Sequence, residues 1–147
     1  MTPRPRNQRR VDVLEALRQG TDVWVASASE RGEVHLIPLS YYWDGHQLTV
    51  ATPLDSVTAR NVSRAGRMRV SLPSTLDVVI LEGSIEVIPV DADETLADAH
   101  ARAAGFDPRQ EPNQYIYLRL TPSFVQSWRN VAELKGRTIM REGTWLE

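Results

Sequence analysis

The sequence predicts a mostly β protein, built as an antiparallel barrel with peripheral helices. Short apolar segments recur at close spacing with turn residues between them, and only two or three helical patterns interrupt them. No internal repeat is present, and the segments do not alternate strand with helix as in parallel βαβ folds. At 147 residues the chain has the size of one domain with its own core.

The first seven residues are expected to form a flexible arm, and residues 8–147 a single domain. Pro3 and Pro5 alternate with Arg4 and Arg6, a pattern that suits neither a helix nor a strand. Such a segment is either a solvated tail or an arm that contacts phosphate.

Helical spacing and stop signals predict three helices. Val13, Leu14 and Leu17 form one apolar stripe along the first of them. The third is expected to open at Asp91, with Glu94 three residues later as in a capping box. The predicted helices cover residues 8–19, 56–65 and about 91–104, and the glycines that end them are Gly20, Gly66 and Gly105.

The predicted strands surround one strong hairpin signal. Asp44-Gly45 joins two apolar segments, and both turn positions tolerate positive φ. The alternation from Tyr115 to Leu120 is expected to continue as a strand beyond Pro122. The strand segments are residues 23–28, 34–43, 47–52, 68–72, 76–88, 115–120 and 124–128.

Composition and charge exclude several classes of function. A net charge of -2 gives no overall attraction to nucleic acid or anionic membranes. Cysteine is absent, so disulfides, thiolate metal sites and cysteine nucleophiles are excluded. The basic N-terminus lacks the apolar run of a signal peptide, and no segment approaches the roughly 20 apolar residues of a membrane span. We therefore expect a cytoplasmic protein with neither a nucleic-acid nor a membrane partner.

No motif supplies acid–base or nucleophilic catalysis. The sequence has no nucleophile elbow, phosphate-binding loop or dinucleotide glycine fingerprint. His35, His46 and His100 stand singly, so no protein-bound metal is expected and catalytic residues stay unassigned. A cofactor that carries the chemistry itself would need the protein only to orient it and exclude water.

A candidate anion site follows the third strand segment. Thr52, Ser56 and Thr58 supply hydroxyls, and Arg60 supplies a guanidinium beside Asn61. If a helix starts near Ser56, its free N–H groups and dipole favour an anion there, and Arg60 can give phosphate a bidentate contact. The alternative is that Ser56 or the residue before it merely caps the helix and Arg60 is solvated. Spacing alone leaves both interpretations open.

This stretch resembles the FMN-binding split-barrel family of pyridoxamine-phosphate-oxidase-like flavoproteins. In that family a strand with a proline or basic residue is followed by a turn and by a strand ending in Thr. A Ser-Arg-Lys segment, a helix with an Arg-Asn pair, and a strand ending in Val-Glu-Gly come next. Val57 and Thr58 differ from the family, because they stand where the oxidases have Arg and Lys. The positions that match are Pro38, Thr52, Ser56, Arg60, Asn61, Glu82 and Gly83.

The C-terminal segment is similar to the closing segment of the same oxidases. Pro122, Trp128, Gly136-Arg137 and Trp145 match its Pro, Phe-Trp, Asp-Arg and Trp in order. The resemblance implies that Trp128 packs against the flavin ring held by a partner subunit and that Arg137 lies near the ring's pyrimidine edge. Without the resemblance, Trp128 would be read as core and Arg137 as a surface charge.

The resemblance implies a six-stranded antiparallel split β-barrel with Greek-key connections, forming a homodimer with a cofactor groove at its interface. It implies an oxidoreductase that uses FMN or coenzyme F-420 to move a hydride to or from a small organic substrate. A site that lacks two cations suits the phosphate within the long F-420 tail, and both cofactors stay open. The basic substrate cluster of the oxidases is missing, so pyridoxamine phosphate is not expected. The implied cofactor-binding residues are Pro38, Thr52, Ser56, Thr58, Arg60, Asn61, Trp128 and Arg137.

Two further expectations concern the interface and the class of function. The aromatic segments 41–43 and 115–117 are expected to supply the dimer interface, although they suit a core equally well. The alternatives to an enzyme are a non-catalytic flavin- or ligand-binding or sensing module of the same fold, and an oligomeric scaffold with an empty groove.

Overall fold

A computed structural model describes residues 1–147 as eight strands and three α-helices. The helices are α1 (Arg6–Gln19), α2 (Val57–Ala65) and α3 (Glu94–Ala104). The strands are β1 (Asp22–Ala28), β2 (Val34–Trp43), β3 (Leu48–Pro53), β4 (Arg69–Ser71), β5 (Val78–Pro89), β6 (Tyr115–Trp128), β7 (Thr138–Arg141) and β8 (Thr144–Trp145). Two short 3₁₀ turns, Pro108–Gln110 and Val131–Glu133, flank β6.

Six of the strands close into an antiparallel barrel, which confirms the predicted fold class. The order is β3-β2-β1-β4-β5-β6, and β3 also pairs with β6, which closes the ring. The pairing of β1 with β4 skips the β2–β3 hairpin and gives the Greek-key connection. The β7–β8 hairpin extends the sheet from β6.

The two ends of β3 lie under different helices. At its start, beside the β2–β3 turn, α1 buries Val13 and Leu17, and the Tyr41 hydroxyl donates a 2.7 Å hydrogen bond to the Leu17 carbonyl. At its end α2 begins, and Ala59 and Val62 enter the same core. The chain therefore places the start of α2 at the end of the barrel opposite α1.

A second, smaller core lies between α3 and the outer surface of the barrel. Leu96, Ala97 and His100 of α3 are buried there, and His100 lies with its ring centre 5.3 Å from that of Tyr117. Tyr41 and Tyr117 are 2% and 0% exposed. Tyr41 and Tyr117 therefore belong to the cores, the alternative that the sequence left open, whereas Tyr42, Trp43 and Tyr115 are half-buried.

Two helix boundaries differ from the prediction for identifiable reasons. α1 begins at Arg6, inside the expected arm, because Arg4 is bound to Glu133 through hydrogen bonds that local sequence does not reveal. α3 is capped by Asp93, whose side chain accepts from the Leu96 N–H at 3.0 Å. The expected cap, Asp91, lies instead in the turn that precedes the helix.

A β-bulge in β6 at Ser123, opposite Glu82 and Gly83, lets β6 run as one strand through Pro122. Glu82 opposes Phe124 whereas Gly83 opposes Pro122, so the register shifts between them. A Cβ on Gly83 would overlap the Thr121 carbonyl and lie 2.9 Å from the Pro122 Cα. Only glycine permits this approach, and β6 continues beyond Pro122 as the sequence predicted.

Candidate functional site

The end of β3 and the start of α2 bring together two of the predicted phosphate-binding hydroxyls. The Thr52 Oγ1 and Ser56 Oγ atoms lie 2.9 Å apart. Ser56 is also the N-cap of α2, since its Oγ accepts a hydrogen bond from the Ala59 N–H at 3.0 Å. Ser56 therefore begins the helix and presents its hydroxyl beside Thr52.

The other three residues predicted for this site have different surroundings. Arg60 is exposed, and its Nη1 donates to the Asp55 carbonyl at 2.6 Å, which leaves its other donors without a partner in the chain. Thr58 is fully buried, and its Oγ1 has no hydrogen-bond partner. Asn61 is buried and donates to the Ser27 hydroxyl at 3.1 Å, so it fastens α2 to β1.

These five residues, Thr52, Ser56, Thr58, Arg60 and Asn61, are called the α2 site below. Arg60, Ser56 and the start of α2 have polar groups that could hold a single phosphate group. Arg60 offers a free cationic edge, and the first N–H groups of a helix have no partner within it. The α2 dipole adds partial positive charge at the same end. An unpartnered buried hydroxyl such as that of Thr58 costs free energy, and a polar ligand at the helix start would relieve it.

Pro38 lies at the same end of the β2–β3 ladder as Thr52, because Tyr41 pairs with Val50. Its side chain is exposed on the outside of the barrel wall, opposite Trp24 on β1. Residues opposite one another across paired strands share a face of the sheet.

The face that carries Pro38 is called the outward face here, and it is largely apolar. One row across the strands is Leu36, Ala26, Arg69, Glu82 and Phe124, and the next is Pro38, Trp24, Ser71, Ile80 and Gln126. Val34, Leu36 and Trp24 are 80%, 58% and 42% exposed. This wall therefore presents large apolar side chains to solvent in the single chain.

Trp128 and Arg137 lie together where β6 ends and β7 approaches. The Arg137 Cζ is 5.8 Å from the centre of the Trp128 ring, within the range of a cation–π contact. The Ser127 N–H donates to the Arg137 carbonyl at 2.9 Å, and Arg137 Nη1 donates to the Leu134 carbonyl at 3.0 Å. The ring is half-buried, on the same outward face as Val78, and the guanidinium is exposed.

The Trp128–Arg137 pair and the α2 site lie at the two ends of β6. Thr52 opposes Ile116, whereas Trp128 opposes Val78. Residues 116 to 128 span roughly 40 Å of strand at about 3.3 Å per residue. Within one chain, the structure does not bring the two predicted halves of the cofactor site together.

A buried arginine that sequence analysis did not single out fixes the Trp128–Arg137 pair. Arg9, 4% exposed, donates from Nη1 to the carbonyls of Ser127 at 3.1 Å and Gly136 at 2.8 Å. These residues directly precede Trp128 and Arg137. One guanidinium from α1 therefore holds both backbone segments of the pair.

Glu133 completes this attachment of the N-terminus to the loop before β7. Its buried carboxylate accepts from Arg4 N, Nε and Nη2 and from the Arg129 N–H, all at 2.8 to 2.9 Å. These bonds lower the pKa of Glu133 to about 2, with the Arg4 side chain as the largest cause. The cluster of arginines near the N-terminus was the one sequence signal of this network.

Glu82, beside the bulge, is held by arginines of β4 and the loop before it. Arg67 Nη2 and Arg69 Nε each lie 3.2 Å from Glu82 Oε1. Burial raises the pKa of Glu82, but the hydrogen bonds and charges of the two arginines outweigh it and lower the pKa. Glu82-Gly83 therefore does not form the strand ending that the resemblance implied, because β5 continues through the bulge to Pro89; it is an ion pair next to an obligatory glycine.

The closed Greek-key barrel, with α2 starting at a hydroxyl- and arginine-bearing corner, defines a split β-barrel protein. The family model described as pyridoxamine 5'-phosphate oxidase matches residues 12–129. The chain belongs to this family. A search of curated protein sequences finds no match.

Solved structures share the fold at low sequence identity. A conserved hypothetical protein of Mycobacterium tuberculosis is 17% identical, with a TM-score of 0.66 over 81% of this chain and 83% of its own. A protein described as an F420 reductase is 14% identical, with a TM-score of 0.62 over 76% and 93%. A pyridoxamine 5'-phosphate oxidase-related, FMN binding protein from Nostoc punctiforme is 14% identical, with a TM-score of 0.56 over 84% and 83%. At these identities the likeness establishes the fold.

None of the helices has the length and apolar content required to cross a membrane. No group of three His, Asp or Glu side chains is arranged to hold a metal ion. The cytoplasmic location stays a prediction from sequence.

Proposed function

We propose that this chain is an oxidoreductase that binds FMN or coenzyme F-420 between two copies of itself and moves a hydride between the cofactor and a small organic substrate. One observation carries the proposal: the α2 site and the Trp128–Arg137 pair lie at opposite ends of β6. A two-fold axis would set the pair of one copy against the α2 site of the other, giving two equivalent sites.

The outward face is the surface on which such copies would meet. It connects the region of Pro38 to Trp128 and exposes Val34, Leu36 and Trp24. Contiguous apolar surface of this kind marks interaction sites in soluble proteins. The Arg69–Glu82 ion pair lies within the face and would give the interface a polar element of fixed register.

Each half of the proposed site has a distinct role. Arg60, Ser56 and the start of α2 would hold the cofactor phosphate. Trp128 would pack against the flat ring and exclude water, and Arg137 would place positive charge near it. A bound flavin or deazaflavin supplies the hydride chemistry, which the protein's own side chains do not provide.

Both cofactors remain candidates for a physical reason. The α2 site has one exposed guanidinium, Arg60, where the oxidases have additional cations at the positions of Val57 and Thr58. A site with lower affinity for phosphate suits a cofactor that has further binding groups in its tail, such as F-420. FMN fits the fold equally. Two structural neighbours are described as an F420 reductase and as FMN binding.

Binding without turnover is the second candidate function. Apart from two arginines, no residue of the α2 site or of the Trp128–Arg137 pair is ionisable, so neither group contains an acid–base residue. A sensing module would bind the cofactor but would not pass electrons from the reduced cofactor to small quinone or enone acceptors. An oxidoreductase would do both.

The decisive experiment first measures cofactor binding and then tests whether each site is formed by residues of two subunits. The purified protein is titrated with FMN and with F-420, using absorption and fluorescence quenching. Arg60→Ala and Arg137→Ala should each weaken binding by about tenfold or more, since charge-assisted hydrogen bonds contribute roughly 1.5–3 kcal/mol. Arg102→Ala, an exposed arginine of α3, is the control and should change nothing.

Mixed dimers then test whether the two residues act across the interface. When the two single variants are co-expressed, a heterodimer contains one site with both substitutions and one intact site. Tight binding should reappear in the isolated heterodimer at one cofactor per dimer. If the heterodimer binds no better than either variant, Arg60 and Arg137 do not serve a shared site, and the proposed arrangement is wrong.

A further inference from the structure

A cavity of 310 Å³ lies between α1 and the barrel, beside the β2–β3 turn and the β7–β8 hairpin. None of the predicted cofactor residues lines it, so it is separate from the proposed cofactor site. Its floor consists of buried apolar side chains, namely Val13, Leu17, Leu81, Val125 and Met140. We call it the α1 cavity.

The α1 cavity opens to solvent along the outer side of α1. Leu14 and Trp43, which line it, also line an adjoining shallow groove. Both side chains are half-buried. A ligand could therefore enter between α1 and the β2–β3 turn without displacing the core.

One positive charge stands at the edge of this apolar space. Arg10 is the only arginine or lysine that lines the cavity, and no Asp or Glu lines it. The Arg10 Cζ lies 4.9 Å from the centre of the Trp145 ring. A guanidinium stacked on a ring keeps its N–H edge free for a planar anion.

The acidic residues of the adjoining groove are already engaged elsewhere. Asp12 accepts from Arg4 and Gln8, and Glu15 accepts from Arg18 and Gln19. The Asp44 carboxylate accepts the backbone N–H groups of the turn residues that follow it. Arg10 itself makes no ion pair or side-chain hydrogen bond in the chain.

We propose that the α1 cavity binds a small carboxylic acid with an apolar body. The body would lie against the aliphatic floor, and the carboxylate would accept two hydrogen bonds from Arg10. The volume is at the lower end of the roughly 300–1,000 Å³ of ligand pockets, which limits the ligand to a small aryl or short alkyl acid. This site does not depend on the proposed cofactor site.

The test compares 4-phenylbutyrate with its neutral isostere 4-phenylbutanamide. The four tryptophans provide internal reporters, because Trp43 and Trp145 line the cavity whereas Trp24 and Trp128 do not. In ¹⁵N–¹H NMR of the wild-type protein, the acid should shift the indole N–H signals of the first two only. The amide should bind about tenfold more weakly or worse, because it lacks the charge. Absent shifts, equal shifts of all four signals, or equal affinity for acid and amide would overturn the proposal.

Two variants test whether the acid binds in the α1 cavity. Arg10→Gln should reduce acid affinity to that of the amide, and Arg102→Gln on α3 should not. Leu14→Trp, which fills the mouth, should weaken both ligands by about tenfold or more. Acid binding that survives either Arg10→Gln or Leu14→Trp unchanged places the ligand elsewhere and contradicts the proposal. If a variant fails to fold, the wild-type NMR comparison still decides.

Discussion

Arg4 and Glu133, 129 positions apart in the chain, are joined by three hydrogen bonds of 2.8 to 2.9 Å. The Glu133 side chain is completely buried, and that of Arg4 is 16% exposed. The bonds attach the segment before α1 to the loop that leads to Arg137. The same loop is held by Arg9 through the Gly136 carbonyl. The N-terminus therefore takes part in shaping the Trp128–Arg137 pair.

Removing this buried carboxylate charge should strongly destabilise the fold. Glu133→Gln keeps the shape of the side chain but removes the buried counter-charge of the Arg4 guanidinium, which then has only the more exposed Asp12 as an ionic partner. Breaking a buried pair from one side typically costs about 3–5 kcal/mol, so we expect the free energy of unfolding to fall by about 3 kcal/mol or more in urea titration. Glu15→Gln removes an exposed pair with Arg18 and should lower the free energy of unfolding much less, because solvent screens exposed charges. Equal effects of the two variants would contradict the structural role of Glu133.

Acid should destabilise the protein through His100 before it does so through Glu133. Burial lowers the pKa of His100 from 6.5 to about 4, while Asp107 opposes the shift. Between pH 6.5 and 4 the unfolded chain binds more protons at this position than the folded one, so stability falls as pH falls. The loss is limited to about 3 kcal/mol by a shift of this size. Glu133, with its pKa lowered to about 2, adds its own loss only below about pH 4.5.

Replacing His100 tests this assignment of the acid response. His100→Leu should flatten the dependence of the free energy of unfolding on pH between 6.5 and 4.5, and the steeper loss below pH 4.5 should persist. His46→Leu, in the exposed β2–β3 turn, is the matched control and should keep the wild-type slope. A variant without His100 that retains that slope would show that another group carries it.

The sequence predicted the barrel because strand spacing and turn residues are local signals. It also placed Thr52 at the end of a strand and Ser56 at the start of the helix that follows, and the structure has their hydroxyl oxygens 2.9 Å apart. The binding roles of the predicted site residues stay predictions. It missed Arg9 and Glu133, because the contacts that join the N-terminus to the loop before β7 are between residues more than 100 positions apart and leave no local pattern.

The alternation of apolar and polar residues along a strand also does not reveal which of its two faces other elements cover. For this reason the sequence left open whether the two aromatic segments are interface or core; Tyr41 and Tyr117 are core, and α3 covers the second of these. The outward face instead carries the exposed side chains of Leu36 and Trp24, whose strands have the same kind of sequence pattern as those of Tyr41 and Tyr117. The continuity of β6 depends on the bulge opposite Gly83, which only the pairing partner reveals.

Gly83 should tolerate no side chain. In Gly83→Ala the new methyl group would overlap the Thr121 carbonyl, and the backbone of β6 would have to move. We expect a loss of about 2 kcal/mol or more in the free energy of unfolding, at the level of overpacked cores. Gly136→Ala is the control, because its nearest neighbours lie 3.9 Å away, and it should change stability by less than about 1 kcal/mol. Thermal or urea unfolding measures both, and a neutral Gly83→Ala would mean that the bulge relaxes freely.

A charged side chain introduced on the outward face should dissociate the proposed dimer into monomers. Leu36 is 58% exposed in the single chain and lies beside Ala26 at the β2 end of that face. In a dimer, Leu36→Arg would bury an unpaired guanidinium, which is strongly unfavourable. We expect the variant to be a folded monomer in analytical ultracentrifugation at concentrations where the wild-type protein is a dimer. Because the proposed site needs both copies, cofactor affinity should fall with the dimer.

Val87→Arg provides the matched control for this substitution. Val87 is 45% exposed on β5, opposite Leu118 and outside the rows of the outward face. The same charge at that position should leave both the assembly and the cofactor affinity unchanged. If Leu36→Arg stays dimeric while Val87→Arg dissociates, the copies meet on a different surface. If Leu36→Arg becomes monomeric yet binds the cofactor as tightly as before, one chain holds the complete site. The proposal that Arg60 of one copy and Arg137 of the other bind the same cofactor would then be wrong.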